Sequence, residues 1–431
     1  MPSALKQDRA IILDVLRGIA ILGILLNNIY GFSGYGFLDE KARQQFATFF
    51  IDDPLNFFQI ALVEGKFYSL FSLLFGIGFS IILINNQEKG INPLKIFYRR
   101  LVILMLFGAV HLCFLWEGDI LLLYALIGML LPLFRRCSDS ALLTWALIFA
   151  LLPIGIDLVK LAVQWSPGDY LKPIAETIDQ RNGIPVDDSA AYYLFKEGSG
   201  WQEWRHWMEP GYLYRYAYLL DSNRIPKVLA MFLIGFYAGR KKMHANLEQY
   251  RPLLQQLMFY GFLIGLPACF AMAYFEGDGK HIYTSAWGLL DTIFYSLGVI
   301  PLSLAYTAAI CLYWLKYQQA GKLKLFAPVG RMALTNYLMQ TVIATLLFYG
   351  AGLGWGQQFG LVYLFFIALG IYILQVIYSN AWFRYFQYGP LEWIWRQLTY
   401  GKRLPMKDTG VTSAREPAAD KKSIDTTALK K

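Results

Sequence analysis

Apolar runs of about 20 residues recur along this chain, each long enough at 1.5 Å per residue to cross a hydrocarbon core roughly 30 Å thick. Ten of them begin near Ile11, Phe67, Leu101, Asp119, Ala141, Pro226, Leu253, Ala286, Met332 and Leu361. Each ends where charge, proline or a glycine-rich turn intervenes. Composition agrees: the 431 residues are 56% hydrophobic and 16% charged, against roughly 25% charged in an average soluble domain. The expected fold is all-α, a polytopic helical membrane protein of about ten transmembrane helices. Two stretches blur the count. Phe46 to Val63 could form an interfacial helix, and Tyr212 to Leu220 could extend the sixth span.

Orientation follows from basic residues in short loops, which stay cytoplasmic. Lys95, Arg99 and Arg100, then Arg135 and Arg136, then Arg240, Lys241 and Lys242, then Lys316, Lys322, Lys324 and Arg331, and finally Arg384, Arg396, Lys402 and Arg403 all fall on one side of a ten-span arrangement. Both termini are therefore expected in the cytoplasm. The net charge of +9 is absorbed by topology and does not point to nucleic acid. The opposite side carries Asp39, Asp52, Asp53, Glu64 and the acids of a long loop from Gln164 to Asn223. Trp165, Trp201, Trp204 and Trp207 in that loop suit the headgroup level, where the segment would lie like a lid or serve as a plain lipid anchor. Residues 1–404 read as one transmembrane domain and 405–431 as a disordered cytoplasmic tail without apolar periodicity. The first apolar run is too long for a signal peptide and is read as an uncleaved span. The four cysteines show no CxxC or metal-ligand spacing, so neither a disulfide framework nor a metal site is expected.

The first span, "LDVLRGIAILGILLNN", holds Asp14, Arg17 and Asn28 within about 60° of one another on a helix. Charge near lipid is expensive, so this stripe should face the protein interior or a wet cavity, with Asp14 and Arg17 paired at i, i+3. It marks either a working site or a bridge that fixes helix packing. Asn336 and Gln340, at i, i+4 on the ninth span, fit interhelical hydrogen bonding or a substrate path. Glu392 and Arg396 lie on an amphipathic, Trp-rich inner segment. With Lys402 and Arg403, Arg396 could meet the phosphates of an acyl donor or those of inner-leaflet lipids.

The blocks "RAIILDVLRGIAILGILLNN", "EGKFYSLFSLLFGIGF", "RRLVILMLFGAVHLCFLWEGDILLLYALIG", "GRMALTNYLMQT" and "GPLEWIWRQLTYG" resemble, in order, those of the YeiB-like membrane proteins, a family carrying a domain of unknown function (DUF418). The resemblance runs from about Arg9 to Arg403. More distantly, the first block is similar to the first helix of the membrane acyltransferase superfamily, which includes the type-three acyltransferases and the heparan glucosaminide acetyltransferases. Type-three members carry histidine where this chain has Asn28. Asparagine cannot take a proton, so the resemblance implies a base from elsewhere.

Of the four histidines, His111 alone falls within an expected span. It is the candidate base or acyl carrier, with Trp116 and Asp119 following it at the outer turn. A buried structural histidine is the equal alternative. The implied function is transfer of an acyl group from a cytoplasmic acyl-CoA type donor to a glycan or lipid acceptor at the outer face of a bacterial inner membrane. Asp14, Arg17, His111 and Asp119 form the expected catalytic set, and Asn28, Trp116, Asn336 and Gln340 line the substrate path. A transporter or flippase without covalent chemistry competes, because intramembrane charge equally marks a translocation path.

Overall fold

All ten apolar runs are helical in the computed structural model, which describes residues 2–88, 90, 92–187, 190–197, 200–276, 282–317 and 321–407, with side chains from Ile11 onward except that of Ala191. The principal helices are α1 (Pro2–Phe32), α2 (Phe49–Leu62), α3 (Lys66–Glu88), α4 (Pro93–Phe114), α5 (Leu121–Gly128), α6 (Asp139–Val163), α7 (Gly168–Arg181), α8 (Gly200–His206), α9 (Tyr212–Asp221), α10 (Arg224–Arg240), α11 (Arg251–Glu276), α12 (Ala286–Lys316), α13 (Ala333–Phe348), α14 (Leu361–Trp382) and α15 (Pro390–Tyr400). Their starts carry the expected local chemistry. Asn92 caps α4 through Leu94 N and Lys95 N with Pro93 in the first turn, and Ser138 and Ser285 cap α6 and α12.

Among the described residues, seven helical stretches are long and apolar enough to cross a membrane: Ile11–Phe32, Phe49–Glu88, Pro93–Phe114, Asp139–Val163, Arg251–Glu276, Ala286–Lys316 and Leu361–Trp382. Three of the ten expected spans are shorter. The run from Asp119 gives only an 8-residue α-helix, followed by a 3-10 turn at Leu131–Phe134, because Pro132 interrupts it. Helix α13 has 16 residues and α10 has 17, which at 1.5 Å each reach about 24 to 26 Å. Phe46 to Val63, the ambiguous stretch, contains α2, which runs into α3 across a kink at Gly65, a residue with φ of 82°.

Exposed apolar side chains such as Leu106, Val110, Leu147, Leu263, Ile264, Leu374 and Ile377 cover the sides of these helices, as a lipid-facing surface requires. Inside, α10 is the most enclosed helix: Val228 through Leu233 are at most 4% exposed. Its contact with α3 is backbone to backbone. A Cβ on Gly76 would sit 2.1 Å from the Phe232 carbonyl oxygen, and one on Gly235 would sit 2.0 Å from that of Leu73, so glycine is what admits the approach.

The loop from Gln164 to Asn223 folds as α7, α8 and α9 across the acidic end of the bundle. Gly168 N donates to Asp221 Oδ1 (2.8 Å), and Lys160 Nζ from α6 donates to the Asp221 carbonyl (2.6 Å). Lys196 Nζ donates to Gly354 O (2.7 Å) and Ala351 N to Glu203 Oε1 (2.8 Å). The tryptophans divide. Trp165 and Trp201 are exposed, whereas Trp207 is buried against Tyr349, with ring centroids 5.2 Å apart; Trp207 is a core residue, not an interfacial one. At the basic end the ordered chain runs past 404: Gln387 N donates to Met406 O (2.9 Å) and Phe386 pairs with Lys407. The rest of the expected tail, from Asp408 onward, lies outside the described residues.

Candidate functional site: a covered cavity at the acidic end

Helix α1 ends beneath the α7–α9 cover, and between them lies a cavity of about 870 Å³. Asn27, Asn28 and Tyr30 of α1, Asn56 and Gln59 of α2, the turn Trp116 to Gly118, Glu64, Glu276 and Tyr349 form the bundle side of its wall. The cover contributes Glu176, Asp179, His206, Trp207, Tyr214, Arg215 and Tyr218. A mix of aromatic faces and convergent polar groups is the usual character of a small-molecule site. A second void of about 30 Å³ touches the same Asn27 and Asn28 and runs inward along Gly23, Gly65, Phe67 and Tyr68.

His206 is the focus of the cover. Its Nδ1 lies 3.0 Å from Asp179 Oδ1 on α7, and its Nε2 lies 3.2 Å from Glu117 Oε2 on the bundle. Tyr214 OH donates to Asp179 Oδ2 (2.9 Å), which fixes that carboxylate. Burial alone would push the imidazole down, but its hydrogen bonds to Asp179 and Glu117 and their charges outweigh burial and raise it to about 10. Near neutral pH His206 is therefore an imidazolium held between Asp179 and Glu117.

The residues expected to form one catalytic set occur as two separate pairs. Asp14 Oδ1 accepts from Arg17 Nη1 at 2.7 Å, the expected i, i+3 pair, but both lie at the basic end beside Gly330, which touches the Asp14 carbonyl. Arg17 is 11 residues from Asn28, about 16 Å along a straight helix, so α1 itself keeps the pair away from the cavity. His111 does meet Asp119, Nδ1 to Oδ1 at 2.9 Å, and its Nε2 meets Thr341 Oγ1 at 2.9 Å. With both ring nitrogens occupied and no exposed surface, His111 holds the turn in place. Asp119 Oδ2 accepts from Leu122 N (2.7 Å) at the start of α5, and its carbonyl accepts from Arg215 Nε (2.8 Å).

Of the expected substrate path, Asn28 and Trp116 line the cavity, and Asn336 and Gln340 do not. Asn336 Nδ2 donates to Val329 O (3.0 Å) and Ser379 Oγ (3.2 Å), and its Oδ1 accepts from Tyr378 OH. Gln340 Nε2 donates to Gln375 Oε1 (2.8 Å). Both amides are buried helix–helix connectors between α13 and α14. Arg396, Lys402 and Arg403 are exposed at the basic end. His206 escaped the sequence reading because it sits in a loop, and its partner Asp179 is 27 residues away. Four tryptophans near an acidic loop marked the segment but not the residue.

An all-helical membrane protein with a covered polar cavity at one end is the class that this architecture defines. Residues 238–402 match the model of a family described as "Protein of unknown function (DUF418)". Over 408 residues the chain is 32% identical to the uncharacterized protein YxaH of Bacillus subtilis, covering 92% of this chain and 95% of that one. It is 29% identical over 402 residues to the uncharacterized protein YeiB of Escherichia coli (91% and 97% covered). A 39.9 kDa protein encoded in the amylase 3′ region of Bacillus acidopullulyticus is 27% identical over 420 residues (93% and 96%). The chain belongs to the DUF418, YeiB-like family of membrane proteins. No solved structure matches it.

Proposed function

We propose that this protein is an acyltransferase of the bacterial cytoplasmic membrane, with ten membrane helices, both termini inside, and the covered cavity facing outward. The observation that carries the reading is the Glu117–His206–Asp179 relay in the wall of a polar cavity at the tip of α1. The resemblance of α1 to the first helix of membrane acyltransferases supports it.

In the reaction, a hydroxyl or amine of a glycan or lipid acceptor attacks the thioester carbonyl. The new ester or amide bond forms as the carbon–sulfur bond breaks. The acceptor's proton passes to the Glu117 carboxylate as the His206 imidazolium donates its own to the departing thiolate, and Glu117 then returns its proton to His206. His206 and Glu117 touch the reacting groups, and Asp179 and Tyr214 position the ring. His111 acts only through the Trp116–Asp119 turn.

The test uses protein in lipid nanodiscs with an acetyl thioester donor. His206→Gln and Glu117→Gln are expected to lower thioester turnover by about 10² to 10⁴-fold. Wild-type turnover indistinguishable from both variants refutes the relay. No turnover at all with any thioester shifts the cavity to the transport reading.

A further inference from the structure

At the basic end, guanidinium groups from three helices converge. Trp395 Nε1 on α15 donates to the Arg100 carbonyl of α4 (3.0 Å), and the Arg100 guanidinium lies over the Trp395 ring, 3.9 Å from its centroid. Arg100 also lies within the electrostatic reach of Arg396 from α15 and Arg17 from α1. Arg99 packs on the turn that ends α15, 3.3 Å from the position a Cβ on Gly401 would take.

Little of this charge is answered. Of the nearby carboxylates, Asp14 answers Arg17 alone, and Glu392 is engaged by Leu334 N, Thr335 N and Thr335 Oγ1 at the start of α13. Among the described residues, Arg99, Arg100 and Arg396 donate no side-chain hydrogen bond, although each carries five N–H donors. The Arg100 guanidinium lies over Trp395 and that of Arg396 over Tyr388, 4.8 Å from its centroid; like charges placed side by side on aromatic faces favour an anion, and planar guanidinium forks suit phosphate oxygens.

We propose that Arg100 and Arg396, with Arg17 and Arg99 beside them and Trp395 as the platform, form a binding site for a phosphate group at the cytoplasmic end of the bundle. The phosphate belongs either to an anionic phospholipid headgroup or to a soluble nucleotide-like molecule that approaches from the cytoplasm. The site stands whether or not the cavity at the other end transfers acyl groups.

The experiment measures the quenching of tryptophan fluorescence and the shift in thermal midpoint of the full-length protein in two arms. One adds adenosine 3′,5′-bisphosphate in neutral detergent. The other compares nanodiscs of phosphatidylglycerol with nanodiscs of phosphatidylcholine. A saturable response in either arm that weakens with salt, and falls at least tenfold in affinity in both Arg100→Gln and Arg396→Gln, supports the site, and the arm that responds names the source. Arg396 is exposed, so its variant tests the idea even where Arg100→Gln misfolds. His206→Gln should leave this response unchanged, which separates it from the cavity reading. No response in either arm, or a response that Arg396→Gln does not alter, overturns the proposal.

Discussion

The contact that closes the cavity carries a measurable dependence on pH. His206 belongs to the cover and Glu117 to the bundle, so their 3.2 Å pair exists only while the cover is closed. In the closed state Asp179 and Glu117 together hold the imidazole at about 10, against an ordinary 6.5; an open cover keeps Asp179 beside it and removes only Glu117, so the imidazole returns part of the way toward the ordinary value. A raised folded value means that the stabilisation is fully present below about 6.5 and is lost as pH rises through about 10. The full difference between these values is on the order of 5 kcal/mol at 1.36 kcal/mol per tenfold change, and closure gains the Glu117 share of it. Between pH 7.5 and 9.5 closure should weaken by at most ~2 to 3 kcal/mol. Limited proteolysis of the cover under conditions where opening limits cleavage reads this directly, and His206→Gln supplies the comparison. The wild type should become steadily easier to cut across that window while the variant, already loosened, changes little. An equal slope in both proteins, or a flat wild type, would refute the assignment of the clasp to His206.

Glu203 should act in a lower window: burial raises it to about 7, with the Ala351 and Gly350 N–H groups pulling the other way, so its ionisation weakens closure from about 4.5 up through 7, and Glu203→Gln should remove that part of the slope in the same proteolysis assay. Gly235→Leu should cost several kcal/mol or abolish folding, because its side chain would enter the α3 backbone at Leu73; a thermal midpoint unchanged in detergent would contradict the close α3–α10 contact. Asp14→Asn or Arg17→Gln alone should cost about 1 kcal/mol or less, since these side chains are 18% and 30% exposed, and a loss of 3 kcal/mol or more in thermal or denaturant unfolding would show a desolvated pair instead. Reporter fusions after Arg136 and Lys242 should give cytoplasmic signals and one at Asp187 an outside signal; a cytoplasmic signal at Asp187 would reverse the orientation.

Length and periodicity made the helices legible because each apolar run had one way to satisfy its backbone in lipid. They did not reveal how far each helix runs. The eight residues of α5 follow from Asp119 engaging Leu122 N at one end and Pro132 at the other, and an apolar window registers neither. The i, i+3 pairing of Asp14 with Arg17 was readable from spacing, because both residues belong to one helix. Its location at the end opposite the cavity was not, since that depends on which loop covers which end.

The same distinction explains the histidines. His111 attracted a catalytic reading through its place inside an apolar run, where a polar group has to be satisfied by something. Asp119 and Thr341 engage both ring nitrogens, and His111 lies behind the Trp116–Gly118 turn rather than in the lining of the cavity. His206 looked ordinary, flanked by Arg205 and Trp207 in a loop. Only when α7, α8 and α9 close over the end of α1 do Asp179 and Glu117 reach it from opposite sides. The two sites are joined through Asp119. Its side chain engages His111 while its backbone carbonyl receives Arg215 from the cover. His111 therefore fixes the rim against which His206 packs. The groups that fasten the cover to the bundle are the same groups that line the cavity, so closure and contact with a substrate draw on one set of side chains.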